Sequence, residues 1–191
     1  MECFNLDDIN NEIQGYRYKK EDNLNRDEKR RWKELQEFNW TIIFSNYLKT
    51  FGLEYNELVK DKSKEGLGID IILKSSKNCP EISLQLTHAN EYDMRPDVLA
   101  NQVSIKNIDT SGNCIINAAV RKCDNYCNRK IDTKKIILLI QGADESTKID
   151  DLAKDHSFLR IFENIPCFRG IYYVKPTQVY TLKNTNFNLA F

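Results

Sequence analysis

Five consecutive aliphatic residues, Ile136–Ile140, leave no position in that run for a solvent-facing side chain. A strand of this composition has to be covered on both faces, so the sheet that carries it needs helices above and below. Lys135 precedes the run, and Gln141-Gly142 ends it. The rest of the chain supplies the covering elements. Leu35, Phe38, Ile42, Ile43, Tyr47, Leu48 and Phe51 recur at the spacing of an amphipathic helix, and Gly52 follows as a stop. A second helix is expected over Asn113–Tyr126, with Ile116, Ala119, Val120, Cys123 and Cys127 on its apolar face, and a third around Leu152–Phe162. Arg95–Ile108 reads as helical or irregular.

Before the central strand stand two shorter runs. Gly68-Ile-Asp-Ile-Ile-Leu73 is β-branched, and Glu81-Ile-Ser-Leu-Gln-Leu-Thr87 alternates strictly, so the two form a hairpin. Phe168–Val174 and Gln178–Leu182 close the sheet. This order predicts an α/β fold with a central mixed β-sheet flanked by helices. No stretch rich in Pro, Gly or Ser divides the chain. Residues 1–26 read as a polar, weakly packed lead-in with room for a short helix at its start, and 27–191 as a single domain.

Composition excludes more than it proposes. With 28 basic and 28 acidic residues the formal net charge is zero, which argues against non-specific coating of nucleic acid. The N-terminal MECFNLDDINNEIQG has no basic segment leading into an apolar one, and the longest apolar run is far too short to cross a membrane. A soluble cytoplasmic protein is expected, with no membrane partner. The six cysteines then read as small buried side chains rather than disulfides. Cys123 and Cys127 share a helix face as half a zinc site would, but no second pair stands at ligand spacing, and His88 and His156 are each isolated.

Asp70 interrupts an apolar strand, where a carboxylate is costly unless paired or bound to a cation. Gln85 lies on the polar side of the facing hairpin arm. Together they offer hard oxygen ligands suited to Mg²⁺ or Mn²⁺, which can activate water for attack on a phosphodiester. His88, with Asn90 and Glu91, makes a polar cluster at the strand end and is a further candidate for proton transfer. The plain alternatives are that Asp70 caps a turn or pairs with Lys74, and that Gln85 faces solvent. Trp32, Trp40 and Tyr92 could stack on bases, although the tryptophans suit a core equally well.

The pair Gly68-Ile69-Asp70 and Leu84-Gln85-Leu86-Thr87, one hairpin apart, resembles the motif of the PD-(D/E)XK restriction-endonuclease-like superfamily. The order of a helix, a hairpin, a crossover helix and a further strand is similar over roughly residues 30–175. The resemblance implies a restriction-endonuclease-like core and metal-dependent cleavage of DNA or RNA, with a homodimer in keeping with the cutting of two strands. It also implies an acidic helix residue completing the site, for which Glu37 is the first candidate and Glu34 the second. Thr87 stands where the family usually has lysine, and Lys122 on the following helix could take over that charge. Three readings remain open: a nuclease, a nuclease-like domain kept for binding or structure, and an unrelated α/β domain.

Overall fold

The computed structural model describes residues 2–17, 24–60, 68–77, 79–89, 110–142 and 149–185. Its elements run β1 (Glu2–Asn5), α1 (Leu6–Arg17), α2 (Arg26–Lys49), β2 (Glu57–Lys60), β3 (Ile71–Lys74), β4 (Ile82–Ala89), α3 (Thr110–Arg129), β5 (Ile136–Gly142), α4 (Ile149–Leu152), α5 (His156–Glu163), β6 (Gly170–Lys175) and β7 (Gln178–Lys183). The strands form one seven-stranded mixed sheet in which spatial order follows chain order. β1 to β4 are mutually antiparallel, β4, β5 and β6 are parallel, and β7 turns back antiparallel to β6. Each parallel step requires a crossover, and α3 and then α4 with α5 supply them.

The strand β5 splits its apolar residues between two cores. Ile137 and Leu139 join Leu35, Phe38, Phe44 and Leu48 of α2 on one face. On the other, Ile136, Leu138 and Ile140 join Ile115 and Ala119 of α3 with Phe158 and Phe162 of α5. Coverage on both sides is what the aliphatic run demands. Helix α2 starts on a capping box: Asn25 accepts from the backbone N–H groups of Asp27 and Glu28, while Glu28 accepts from the Asn25 N–H. It ends at Gly52, whose φ of 79° lets the Leu53 N–H reach back to the Leu48 carbonyl.

Several expectations are corrected. Residues 2–17 are not a weakly packed lead-in: β1 pairs with β2, and α1 buries Leu6, Ile9 and Ile13 in the α2-side core. Strand β2 is new, because Glu57–Lys60 is too short and too charged at its ends to stand out in the sequence. The helix expected over Leu152–Phe162 is broken into α4 and α5, since Asp155 caps a new start by accepting from the Ser157 N–H. Phe51 is 59% exposed, beyond the end of α2, rather than on its buried face. Arg95–Ile108 lies outside the described residues. Among the described residues no helix is long and apolar enough to cross a membrane.

An ionic network ties the N-terminal segment to the sheet. Arg31 of α2 grips Glu12 of α1 through Nε and a terminal nitrogen at 2.9 and 2.7 Å, and reaches Glu34 at 2.6 Å. Lys60 of β2 joins Glu34 at 3.1 Å and Glu37 at 3.8 Å. The hydrogen bond from Arg31 holds the Glu12 carboxyl below the ordinary carboxylate range. For Glu34, burial pushes upward, but Arg31 and Lys60 outweigh it, and the net direction is down. Folded-state values below the unfolded ones mean a stability contribution present above the unfolded carboxylate pKa and lost as pH falls through the folded one. Arg31→Met is therefore expected to cost roughly 1 kcal/mol at neutral pH, modest because the partners are partly solvated. In denaturant titrations the difference from wild type should shrink below about pH 4; a pH-independent difference would assign the loss to packing alone.

Candidate functional site

Asp70 does not lie inside a strand. The strand β3 begins one residue later, and the chain arrives through Gly68 at a positive φ of 74°. A side chain at Gly68 would put its first carbon 2.5 Å from the Tyr126 ring, so the close approach itself demands glycine. The Asp70 N–H donates to the Leu84 carbonyl at 2.9 Å, while its carboxylate Oδ2 accepts the Leu86 N–H at 2.8 Å. The side chain thus continues the ladder to β4 where the β3 backbone leaves off. Lys74, the partner that a plain ion pair would have used, meets Glu81 instead at 2.9 Å.

Gln85 is buried, with 3% of its surface exposed, under α3. Its Nε2 donates to Asp70 Oδ2 at 2.5 Å and to the Leu86 carbonyl at 2.8 Å. Two acceptors flank the nitrogen, so the amide orientation follows from chemistry as well as from coordinates. Its Oε1 accepts from the Tyr126 hydroxyl, which also lies 3.2 Å from the Gly68 carbonyl. One hydroxyl proton serves one of those acceptors at a time. Burial, and then the charge of Asp70, raise the Tyr126 phenol far above neutral pH, so it acts as a neutral donor.

Asp70 and Leu86 line a cleft of about 320 Å³, together with Glu37, Lys60, Thr87, His88 and Gln141 among others, whereas Gln85 and Tyr126 stand behind them on the α3 side. It spans the gap between α2 and the C-terminal ends of β4 and β5, where loops of an open α/β sheet commonly carry ligands. Lys122 is half-buried on α3, one turn before Tyr126. Burial lowers its pKa, the charge of Asp70 opposes that shift, and Arg121 adds to it. The His88 pKa is lowered by desolvation, raised by Glu37, and lowered by Lys33 and Lys122. Glu37 therefore shares the cleft with Asp70 and His88 but spends its closest ion-pair contact on Lys60. Glu34 is held within the Arg31 network and does not line the cleft.

Of the residues singled out in the sequence, Asp70 and Gln85 meet directly, Glu37 shares the cleft with Asp70, and Lys122 feels the charge of Asp70 from α3 without lining that cleft. Gln85 does not face solvent. Tyr126, Lys60 and the Leu86 backbone were missed. Only Tyr126 carried a sequence signal, one helical turn beyond Lys122. Trp40 is buried on the cleft wall and Trp32 stacks on Tyr16 at 5.6 Å, so both are packing residues. Asn90, Glu91 and Tyr92 lie outside the described residues. The cysteines also depart from expectation: Cys123 and Cys167 form a disulfide, and Cys127 lies beside it.

Asp70 Oδ2 and the Leu86 carbonyl converge on one point, which the positive end of the Gln85 amide dipole fills. Two such oxygens are suitable donors for a hard divalent cation, and a half-turn of the amide would bring the Gln85 oxygen to the same point as a third. A donor set of Asp70 Oδ2, the Leu86 carbonyl and a turned Gln85 amide suits the chemistry of a cation such as Mg²⁺ or Mn²⁺. Comparison of the chain with protein-family models, with curated proteins and with solved structures finds no match in any of the three.

The network predicts a coupled response to mutation. Gln85→Leu strips a donor from a buried carboxylate and should cost about 1–3 kcal/mol, and Tyr126→Phe about 1 kcal/mol. Because both act on the same amide, the double variant should fall short of the sum in a denaturation cycle. Strict additivity would show that the two side chains do not act together.

Proposed function

We propose that the chain is a metal-dependent nuclease with a restriction-endonuclease-like core, hydrolysing phosphodiester bonds of DNA or RNA in the cleft above Asp70. The observation that carries this reading is the convergence of Asp70 Oδ2 and the Leu86 carbonyl on a single positively polarised point. The run of α2, the antiparallel strands β2–β4, the crossover α3 and the parallel strand β5 supports it. That order is similar to the one the resemblance of the Asp70 and Gln85 motif implies.

The bound Mg²⁺ or Mn²⁺ would supply charge neutralisation and an activated water. The remaining work falls to the chain. Asp70 is fixed by the two hydrogen bonds its carboxylate accepts, from the Leu86 N–H and Gln85 Nε2, and Gln85 would hold the cation through its oxygen after a half-turn of the amide. Glu37 orients water from the α2 side, and His88 is placed to accept a proton within the same cleft. Lys122 brings cationic charge toward the phosphate, the role that Thr87 cannot fill. Two cuts in a duplex need two such sites, which a homodimer would provide.

One observation favours a second reading, a nuclease-like domain that binds nucleic acid without cutting it. The Gln85 amide already satisfies both oxygens, and Thr87 replaces the strand lysine.

Labelled single- and double-stranded DNA and RNA incubated with Mg²⁺ or Mn²⁺ separate the two. Metal-dependent cleavage by wild type, reduced at least ~100-fold by Asp70→Ala and likewise weakened by Lys122→Met, is the expected result. Binding without cleavage by the folded protein establishes the second reading. Neither binding nor cleavage overturns both.

A further inference from the structure

The three cysteines that meet on the far side of α3 belong to no part of the nuclease reading. Cys123 and Cys127 project from successive turns of α3, and Cys167 comes from the segment before β6. All three sulfurs lie within 4.8 Å of one another. Cys123 and Cys167 are joined as a disulfide and are buried, whereas Cys127 is exposed. A disulfide accounts for two sulfurs and leaves the third without a reason to be there.

Two chemistries bring three sulfurs together. The first is thiol–disulfide exchange, in which Cys127 attacks along the axis of the existing bond. In-line attack on Cys167 would put Cys127 about 2 Å farther from Cys123 than from Cys167. The distances are 4.0 and 3.4 Å, so Cys127 lies alongside the bond and not at its end. The second is metal ligation. Zinc–sulfur bonds of about 2.3 Å in a tetrahedral site space the sulfurs about 3.8 Å apart. The spacings of 3.4 and 4.0 Å from Cys127 bracket that value already.

We propose that Cys123, Cys127 and Cys167, when reduced, form a three-thiolate site for a thiophilic divalent cation of the zinc class. A dithiol reductant supplies two electrons and two protons to open the Cys123–Cys167 bond and leaves as its own disulfide. Binding of the cation then releases three thiol protons to solvent. Among the described residues no histidine or carboxylate joins the three. The fourth position therefore takes water, at the exposed edge beside Cys127. The site clips the segment before β6 onto α3. It does so one residue from Tyr126, whose ring meets Phe168 edge-on at 5.6 Å. The clip steadies the hydroxyl that holds Gln85, and a disulfide oxidant, which takes up two electrons and two protons to become a dithiol, re-forms the Cys123–Cys167 bond and releases the cation.

The full chain, reduced with a dithiol and then transferred to Co²⁺ without reductant, reads this directly. A thiolate-to-cobalt charge-transfer band, one equivalent per chain and displaced by Zn²⁺, is expected. Cys127→Ser, at an exposed position, should weaken Zn²⁺ binding at least about tenfold, while Cys79→Ser leaves it unchanged. Absence of the band from the reduced protein, or a band unaltered in Cys127→Ser, overturns the proposal. Neither Mg²⁺ nor phosphodiester cleavage enters the readout, so its failure would leave the nuclease reading where it stands.

Discussion

Burial of the parallel strands β4, β5 and β6 on both faces governs the rest of the molecule. Once α2 and α3 cover the sheet, any polar side chain on those strands must find its partners inside the protein. Gln85 and Thr87 are the polar residues of β4 that fall under this rule, at 3% and 6% exposure. Gln85 meets it by spanning a strand edge and a helix at once, from Asp70 to Tyr126. The site is thus a consequence of how the sheet is covered. It forms where β3 runs out, where an aspartate takes up the ladder and an amide fills the angle behind it.

The charges around the sheet also divide by layer. Acidic and basic groups of α2 and β2 neutralise one another through Arg31, Lys60, Glu34 and Glu37. The α3 layer sets Lys122 against Asp70. A zero net charge therefore coexists with a locally organised field, and long-range attraction of a polyanion is not required for short-range recognition of a phosphate. The cysteine cluster sits on the same helix as Lys122 and Tyr126, so whatever fixes α3 fixes both residues over the sheet.

How much of this was legible depends on the range of the interactions. Alternation in Ile82–Thr87 and the unbroken Ile136–Ile140 run are local signals, and they located β4 and β5 to within a residue or two. Asp70 stood out because it breaks an apolar run, and Gln85, which keeps its alternation, stood out only as the facing partner of Asp70. The orientation of the Gln85 amide was beyond reach, since it depends on Tyr126, which is 41 residues away. Cys167 was missed for the same reason, standing 44 residues from Cys123. The lead-in failed differently: a short helix at its start was legible, but the Asn and Asp between Leu6, Ile9 and Ile13 hid that this helix packs into the core.

The account rests on a competition between the Gln85 amide and a divalent cation for the same two oxygens. Side-chain and backbone amide NMR signals of Gln85 and Leu86, followed through titration with Mg²⁺ and then traces of Mn²⁺, test it most directly. Saturable shifts on Mg²⁺, and selective paramagnetic broadening by Mn²⁺ that is absent in Asp70→Ala, are the results the account requires. Signals of Gln85 and Leu86 that stay fixed and sharp while the protein remains folded would contradict it.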